Sequence, residues 1–512
     1  MTTPSVNQGT DVVVIGGGLG GLSAAIRLAH RGFTVNLYER SGTFGGKCRI
    51  EEFDGHVFDT GPSLLTLPAV YRDLFLKTGA PLEEELALQP VDPAFDYHFA
   101  SGKRLKLPNA SRAGVAEAIE ETFGRASATE WIALMDRAEA MWDLSREPFV
   151  ESELKGLMQL LRRPGFLRSL RTIAPLTTLR TIAQRYLTTP ELVTLIDRYA
   201  TYTGSDPRKA PAVLLTIAYI EQVFGAWHIT GGIGKLSEAL VRRAREVGVH
   251  LHANAPVRQI LAKNSRVTGV LLEDGSTVAA DFVISNADAK LTYESLLEYA
   301  QVAQVARSEH KKLQRSTPSF SGFYLLLSLE GSDENQAHHT VSFPDDYDGE
   351  FDALFRSFQP VPDPTLYICS PKDQSMSPTN SQSWFVLVNA PRHSAENQGG
   401  EGFNWRAPGV AEGYSKHLVE LLANRGLLEP SRIKSMKFRS PADIEELFNA
   451  PGGSIYGQSS NGASAAFNRA SNRSPIAGLF LVGGSAHPGG GVPLVGISGE
   501  IVANAIASAH SQ

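Results

Sequence analysis

The chain has 512 residues, of which 42% are hydrophobic and 20% charged, with a net charge of −6. That composition excludes a disordered chain, and the slight acidic excess argues against nucleic acid as a partner. Two cysteines, Cys48 and Cys369, neither in a CxxC, exclude a disulfide framework and point to a reducing compartment. No apolar run reaches the ~18 residues of a spanning helix, and a polar first ten residues predict no signal peptide. At roughly 150 residues per domain, about three domains are expected.

The predicted elements begin at residues 12–15, VVVI, a β-branched run suited to a buried parallel strand. Residues 16–21, GGGLGG, follow as GxGxxG with Gly16, Gly18 and Gly21 at its fixed positions and Gly20 beside them. Gly16 permits the turn, Gly18 lets the main chain approach a pyrophosphate, and Gly21 lets the next helix pack on the strand. Leu22, Ala25, Ile26 and Ala29 recur at helical spacing, and Gly32 marks the stop. That helix offers free N–H groups and a positive dipole end to phosphates.

Residues 33–39, FTVNLYE, predict a second strand ending in Glu39. A carboxylate about 20 residues past the glycines accepts from a ribose 2′-OH; Arg40 is next to it. The order strand, glycines, helix, strand, acid reads as a dinucleotide site, against the blander reading of a glycine-rich structural turn. In residues 40–49, RSGTFGGKCR, the pair Gly45–Gly46 is followed by Lys47 and Arg49. Glycines beside cations just past the ribose suit a long cofactor, FAD and not NAD. Residues 58–68, FDTGPSLLTLP, turn at Gly61–Pro62 and read as wall around an isoalloxazine ring.

Residues 152–187 place Leu154, Leu157, Met158 and Leu161 on one helical face and carry Lys155, Arg162, Arg163, Arg168, Arg171, Arg180 and Arg185. A basic amphipathic stretch suits an anionic membrane surface, or is an ordinary helical subdomain with a solvated basic face. Residues 219–260 predict a return to the nucleotide domain: a turn at Gly231–Gly232 and Gly234, a helix carrying Leu236, Leu240 and Ala244, and a strand over 249–257, VHLHANAPV. Residues 266–288 predict a hairpin about Asp274–Gly275 and a strand ending at Ser285. Residues 320–328 and 384–388 predict strands of a second sheet, and 373–383 and 396–402 exposed loops. His338 and His339, adjacent on a predicted strand, point to opposite faces and so form no metal pair; no metal is expected.

Residues 478–507 repeat the opening logic: a strand over 479–482, glycines at Gly483, Gly484, Gly489, Gly490 and Gly491, then a helix over 495–507. Its N-terminus suits negative charge on a reduced flavin. His487 is the one titratable residue in that loop, and a lone histidine is more often structural than catalytic.

Together these segments resemble the bacterial-type phytoene desaturase family, among the flavoproteins that include amine oxidases. The resemblance is carried by residues 12–40 and by FGGKCR, FDTGPSLLTLP, FGAWHITGGIGKLSEAL, SNADA, AHHTVSF and GLFLVGGSAHPGGGVPLVGISG, which span nearly the whole chain. It implies non-covalent FAD, a long lipid-soluble polyene and removal of two hydrogens from a C–C bond, with oxygen or a quinone taking the electrons. It also implies an adenine contact through the backbone of Val257. Many members carry Arg where this chain has Lys47.

The expected fold is α/β: a discontinuous Rossmann-type FAD-binding domain (1–75, 221–295, 471–512), a mixed α+β substrate domain (76–135, 296–470), and a helical, membrane-facing subdomain (136–220). The expected cofactor-binding residues are Gly16, Gly18, Gly20, Gly21, Glu39, Arg40, Gly46, Lys47, Val257, Gly483, Gly484 and Val492. The flavin carries the chemistry, so the catalytic candidates are weak: His487, His339 and Trp227, with Asp59 and His228 as further lining residues. The resulting expectation is a cytoplasmic carotenoid desaturase at the inner membrane face. A 1-hydroxycarotenoid 3,4-desaturase, a polyene oxidase or isomerase, and an amine oxidase-like enzyme on a soluble substrate are the alternatives.

Overall fold

The structure is a computed structural model that describes residues 11–154, 171–297, 303–395 and 401–510. A five-stranded sheet runs in the order Leu479–Leu481, Phe282–Ser285, Asp11–Ile15, Thr34–Tyr38, His250–His252. Every neighbouring pair is parallel. Its strands come from the start, the middle and the end of the chain. Val12, Val13 and Val14 are fully buried because the sheet is covered on both faces, which is why they read as a continuous apolar run. One face carries the helix Leu19–His30 and the C-terminal helix Val492–His510. These two helices touch along their backbones: a Cβ on Gly499 would stand 2.7 Å from Ser23 Cβ and 2.9 Å from the Gly20 carbonyl. Val492–His510 is the one helix among the described residues long and apolar enough to cross a membrane, and 56% of its apolar window is buried in this packing.

The other face is covered by an antiparallel sheet of Val257–Lys263, Arg266–Leu272 and Thr277–Ala279. The single strand expected over 249–257 is therefore two elements in two sheets. Asn254, at φ +53°, makes the turn between them; its short polar side chain tolerates the left-handed region.

A seven-stranded sheet runs Ile433–Arg439, Ser321–Glu330, Ser381–Ala390, Leu366–Cys369, His339–Ser342, Phe95–His98, Arg104–Leu107. Only His339–Ser342 with Phe95–His98 is parallel. The helix Val410–Asn424 packs on one face through Leu418 and Leu422. The helices Arg125–Arg146, Leu179–Tyr186, Pro190–Arg198 and Leu215–Phe224 share a second core with Phe95, Tyr97 and Val341. The segment 373–383 is not an exposed loop throughout. Met376 and Ser383 are buried, and Ser381 already belongs to a strand.

His338 precedes its strand, so strand alternation does not apply to it, and the expectation of opposite faces fails. The His338 and His339 rings lie 4.5 Å apart. Residues 155–170, which include Lys155, Leu157, Met158, Leu161, Arg162, Arg163 and Arg168, and residues 396–400 lie outside the described part. Within the described part of the basic stretch, Arg180 is not a solvated cation: it pairs with Asp197 and with Asp348, the latter at 2.7 Å.

Candidate functional site

Parallel strands aim their carboxyl ends at one edge, and three loops meet there. In the first, Gly16 turns at φ +93° and donates to the Tyr38 carbonyl at 2.8 Å. Gly21 sits where a Cβ would meet the Gly16 carbonyl oxygen at 2.3 Å, so any side chain would force the helix off the strand. That helix starts at Leu19 with no side-chain cap and no acid in its first turn. Its N–H groups are thus left for another acceptor. In the second loop Glu39 accepts from Gly17 N–H at 2.8 Å and from Ser41 N–H at 2.9 Å. Ala255 N–H donates to the Glu39 carbonyl, which brings Val257 to within two residues of it. The third is the glycine loop 483–491 ahead of the C-terminal helix.

Asn286, just past the strand Phe282–Ser285, joins these pieces. With its amide oriented to satisfy both sides, it accepts from Gly18 N–H at 3.1 Å and donates to the Val482 carbonyl at 3.3 Å. A Cβ on Gly18, Gly20 or Gly483 would strike this amide at 2.7, 3.1 and 2.4 Å respectively. Asn286 was within the quoted motif SNADA but not singled out; its position after a buried strand was the available signal.

Gly45 donates to the Gly17 carbonyl at 2.7 Å, and a Cβ on Gly46 would lie 3.2 Å from Gly18. The Lys47 ammonium donates to the carbonyls of Ser454 and Ile455 at 2.8 and 3.1 Å. Burial pulls it down to about 8, partly offset by Asp288. Arg469, missed in the sequence, donates to the carbonyls of Gly484 and Gln458 at 2.7 and 2.8 Å; burial draws it down to about 10, again offset by Asp288. Two cations against one carboxylate leave this enclosed corner net positive, beside the N-termini of two helices whose first turns carry no acid. The two cations, the uncapped N-terminus of the first helix and the acid-free first turn of the last helix fit an anionic, phosphate-bearing group. Val492 opens the C-terminal helix, and its carbonyl accepts from Tyr71 Oη at 2.7 Å. Arg40 is not brought in: its guanidinium donates to the carbonyls of Glu446 and Leu447.

The wall segment 58–68 lies against the second glycine pair. Thr60 N–H donates to the Arg49 carbonyl, and a Cβ on Gly61 would overlap the Lys47 carbonyl. Asp59 is 3% exposed, with Oδ1 accepting from Ile233 N–H at 2.7 Å and Oδ2 unpartnered. Burial pushes its carboxyl up to about 7. Asp373 Oδ2 accepts from Gly231 N–H at 2.7 Å and lies 2.9 Å from His228 Nε2, fixing the turn before Ile233.

The weak catalytic candidates do not converge. Trp227 Nε1 donates to the Phe224 carbonyl. His487 pairs with the Ser152 carbonyl at 3.0 Å, and burial lowers it to about 4. His339 pairs with the Ala94 carbonyl at 3.0 Å, and burial likewise lowers it to about 4. Contrary to the expected separation of the histidine pair, His338, His339 and Cys369 place one donor atom each within 4.8 Å of one another.

The family described as flavin containing amine oxidoreductase matches residues 19–362. A 4,4′-diapolycopene oxygenase of Methylomonas sp. is 31% identical over 98% of this chain and 98% of its own. A hydroxyneurosporene desaturase of Rubrivivax gelatinosus is 32% identical over 97% of this chain and 93% of its own. Among solved structures, a putrescine oxidase bound to putrescine superposes with a TM-score of 0.64 at 15% identity, covering 98% of this chain and 99% of that one. That last likeness concerns the fold alone.

Proposed function

We propose a function that proceeds from one premise: the chain belongs to the flavin containing amine oxidoreductase family. It is a flavin oxidoreductase, and on this reading the flavin is FAD and the substrate a carotenoid, from which two hydrogens are removed to extend conjugation. The observation that carries the reading is the meeting of two helix N-termini with no acid in their first turns, Glu39 and a net-positive buried corner at the carboxyl ends of strands drawn from three parts of the chain. Gly16–Gly18 and the first helix would hold the pyrophosphate of FAD and Glu39 its ribose. Gly46, Lys47 and the loop at Gly483–Gly484 would line its second half, with Val492 at the dipole end of the last helix and Val257 toward the adenine.

No side chain can accept the electrons of a C–C dehydrogenation; bound FAD supplies that acceptor. The chain's own residues do the rest. Lys47 and Arg469 favour negative charge on what they enclose. Glu39, held by the N–H groups of Gly17 and Ser41, orients a hydroxylated partner. The apolar core around Phe95, Tyr97, Phe343 and Tyr367 excludes water. His339 is held neutral by burial, with Nε2 unpartnered within that core. A cation next to a polyene is allylic, so no strong base is required.

The polyene enters from lipid, because each buried CH₂ is worth about 0.8 kcal/mol and the free substrate does not dissolve. The chain accordingly works at the inner membrane face, and oxygen or a quinone takes the electrons on. A second reading, oxygenation of a polyene end, is favoured by the likeness to the Methylomonas 4,4′-diapolycopene oxygenase. One experiment tests both. The gene is expressed in hosts accumulating different carotenoid precursors, and pigments are analysed by absorption and mass. A red shift with loss of two hydrogens supports desaturation, and gain of oxygen supports the second reading. Unchanged pigments in every host, from a yellow folded protein, would refute both.

A further inference from the structure

The helix Pro190–Arg198 ends in an arginine that is 6% exposed. Its guanidinium lies 4.7 Å from the Phe95 ring, 5.0 Å from Tyr202 and 5.4 Å from Tyr97. Among the described residues it makes one hydrogen bond, Nη1 to Tyr97 Oη at 2.9 Å, and no carboxylate stands within ion-pair distance. Nε and Nη2 make none. The nearest counter-charge is held at one remove: Glu221 accepts from Tyr199 Oη at 2.6 Å and from Tyr202 Oη at 2.8 Å. A buried arginine that spends one of five donors, inside an aromatic box, lacks what burial of a charge requires.

Ring contacts join the box to the candidate site. Phe95 stacks on His339, and His339 on Tyr367, whose hydroxyl bonds Ser63 Oγ at 2.7 Å in the wall segment. On the other side the Arg198 charge acts on Tyr456, which packs where a Cβ on Gly490 would touch its ring at 2.8 Å. Arg198 is thus linked to the wall segment 58–68 on one side and to the glycine loop 483–491 on the other. A bare hydrocarbon there would leave the N–H donors of Nε and Nη2 unpaired against apolar carbon, which is costly.

We propose that Arg198 recognises an oxygen atom on the polyene, so that the preferred substrate is an oxygenated carotenoid bearing a hydroxyl or carbonyl group. This rests on the carotenoid reading above and narrows it. The oxygen is a neutral one. Glu221 is already held beside the box by Tyr199 and Tyr202, so a carboxylate-ended polyene would bring a second acid to it.

The test uses the full chain loaded with FAD, in liposomes, with matched polyenes of equal length and conjugation that end in a hydroxyl, a carbonyl, a carboxylate or plain hydrocarbon. One charge-assisted hydrogen bond predicts a kcat/KM preference of about 10- to 100-fold for the hydroxyl or carbonyl over the hydrocarbon, expressed mainly in KM. Arg198→Met levels the two, and Arg198→Lys retains part of the preference. Glu221→Gln, which keeps the tyrosine contacts, admits the carboxylate-ended polyene that the parent rejects. Equal turnover of oxygenated and hydrocarbon polyenes by the parent overturns the proposal whether or not the variants fold. So does an Arg198→Met protein that keeps the preference. Turnover of no polyene at all would instead sink the carotenoid reading itself.

Discussion

Asp59 offers a sharp test of how tightly the wall segment is sealed. Its carboxyl is buried, accepts from Ile233 N–H at 2.7 Å, and has a second oxygen with no partner. Burial is the largest influence and raises the carboxyl from 3.8 to about 7, assisted by nearby Asp373 and opposed by the backbone donors of Ile233 and Gly234. The folded protein therefore holds a proton that the unfolded chain releases. Below about pH 4 both states are protonated and the group is neutral in its effect. Between about pH 4 and pH 7 the unfolded state binds fewer protons, so stability falls as pH rises. Above that window the accumulated loss is about 4 kcal/mol at 1.4 kcal/mol per pH unit. Asp59→Asn keeps the oxygen that accepts from Ile233 and removes the ionisation. The variant should match the parent near pH 4 and exceed it by up to about 4 kcal/mol near pH 8. Urea unfolding across that range, with flavin content held equal, measures it. A difference between variant and parent that does not change with pH would show that water reaches the carboxylate, and would refute the sealed wall.

Gly21→Ala should abolish flavin retention, read as flavin absorbance per protein after gel filtration. The new Cβ meets the Gly16 carbonyl at 2.3 Å, and backbone yields only at about 1–3 kcal/mol. Gly413→Ala, in the helix Val410–Asn424 with nothing within 4 Å, should instead stabilise by about 0.5–1 kcal/mol in the same unfolding assay. Asn286→Ala unties Gly18 from Val482 and should cost about 1–3 kcal/mol, with a weaker flavin dissociation constant as the specific readout. Arg27, buried and paired with Asp73 at 2.9 Å and Glu500 at 3.3 Å, pins the first helix to the last. Arg27→Met should cost about 1–3 kcal/mol, since both partner carboxylates keep water, and thermal unfolding would register it.

The parts of the site that were legible in the sequence are those where backbone geometry dictates residue type. Gly16 at φ +93° and Gly21 against a carbonyl admit nothing else, so the pattern shows wherever the geometry occurs. The first strand, first helix and Glu39 followed from local periodicity and appear nearly where expected. Local patterning failed where a neighbour from afar decided the outcome. Composition made 373–383 an exposed loop, yet Asp373 ties Gly231 and His228, 142 and 145 residues earlier, and draws Met376 inward. His338 and His339 were split by strand alternation, yet the strand begins only at His339.

Sequence alone determined that two glycine loops, each between a strand and a helix, stand at opposite ends of this chain, because positive φ and close backbone approach there leave no room for a Cβ. It could not say that Asn286 would tie the first of them to Val482, nor that Lys47 and Arg469 would share one carboxylate. It also could not say that Arg198 would lie among Phe95, Tyr97 and Tyr202 with Nε and Nη2 left over. Those are contacts across tens to hundreds of residues, and single residues of common type leave no periodic trace. The closing of the parallel sheet over three separate stretches brought the first two together, and the packing of the helices on the seven-stranded sheet made the third.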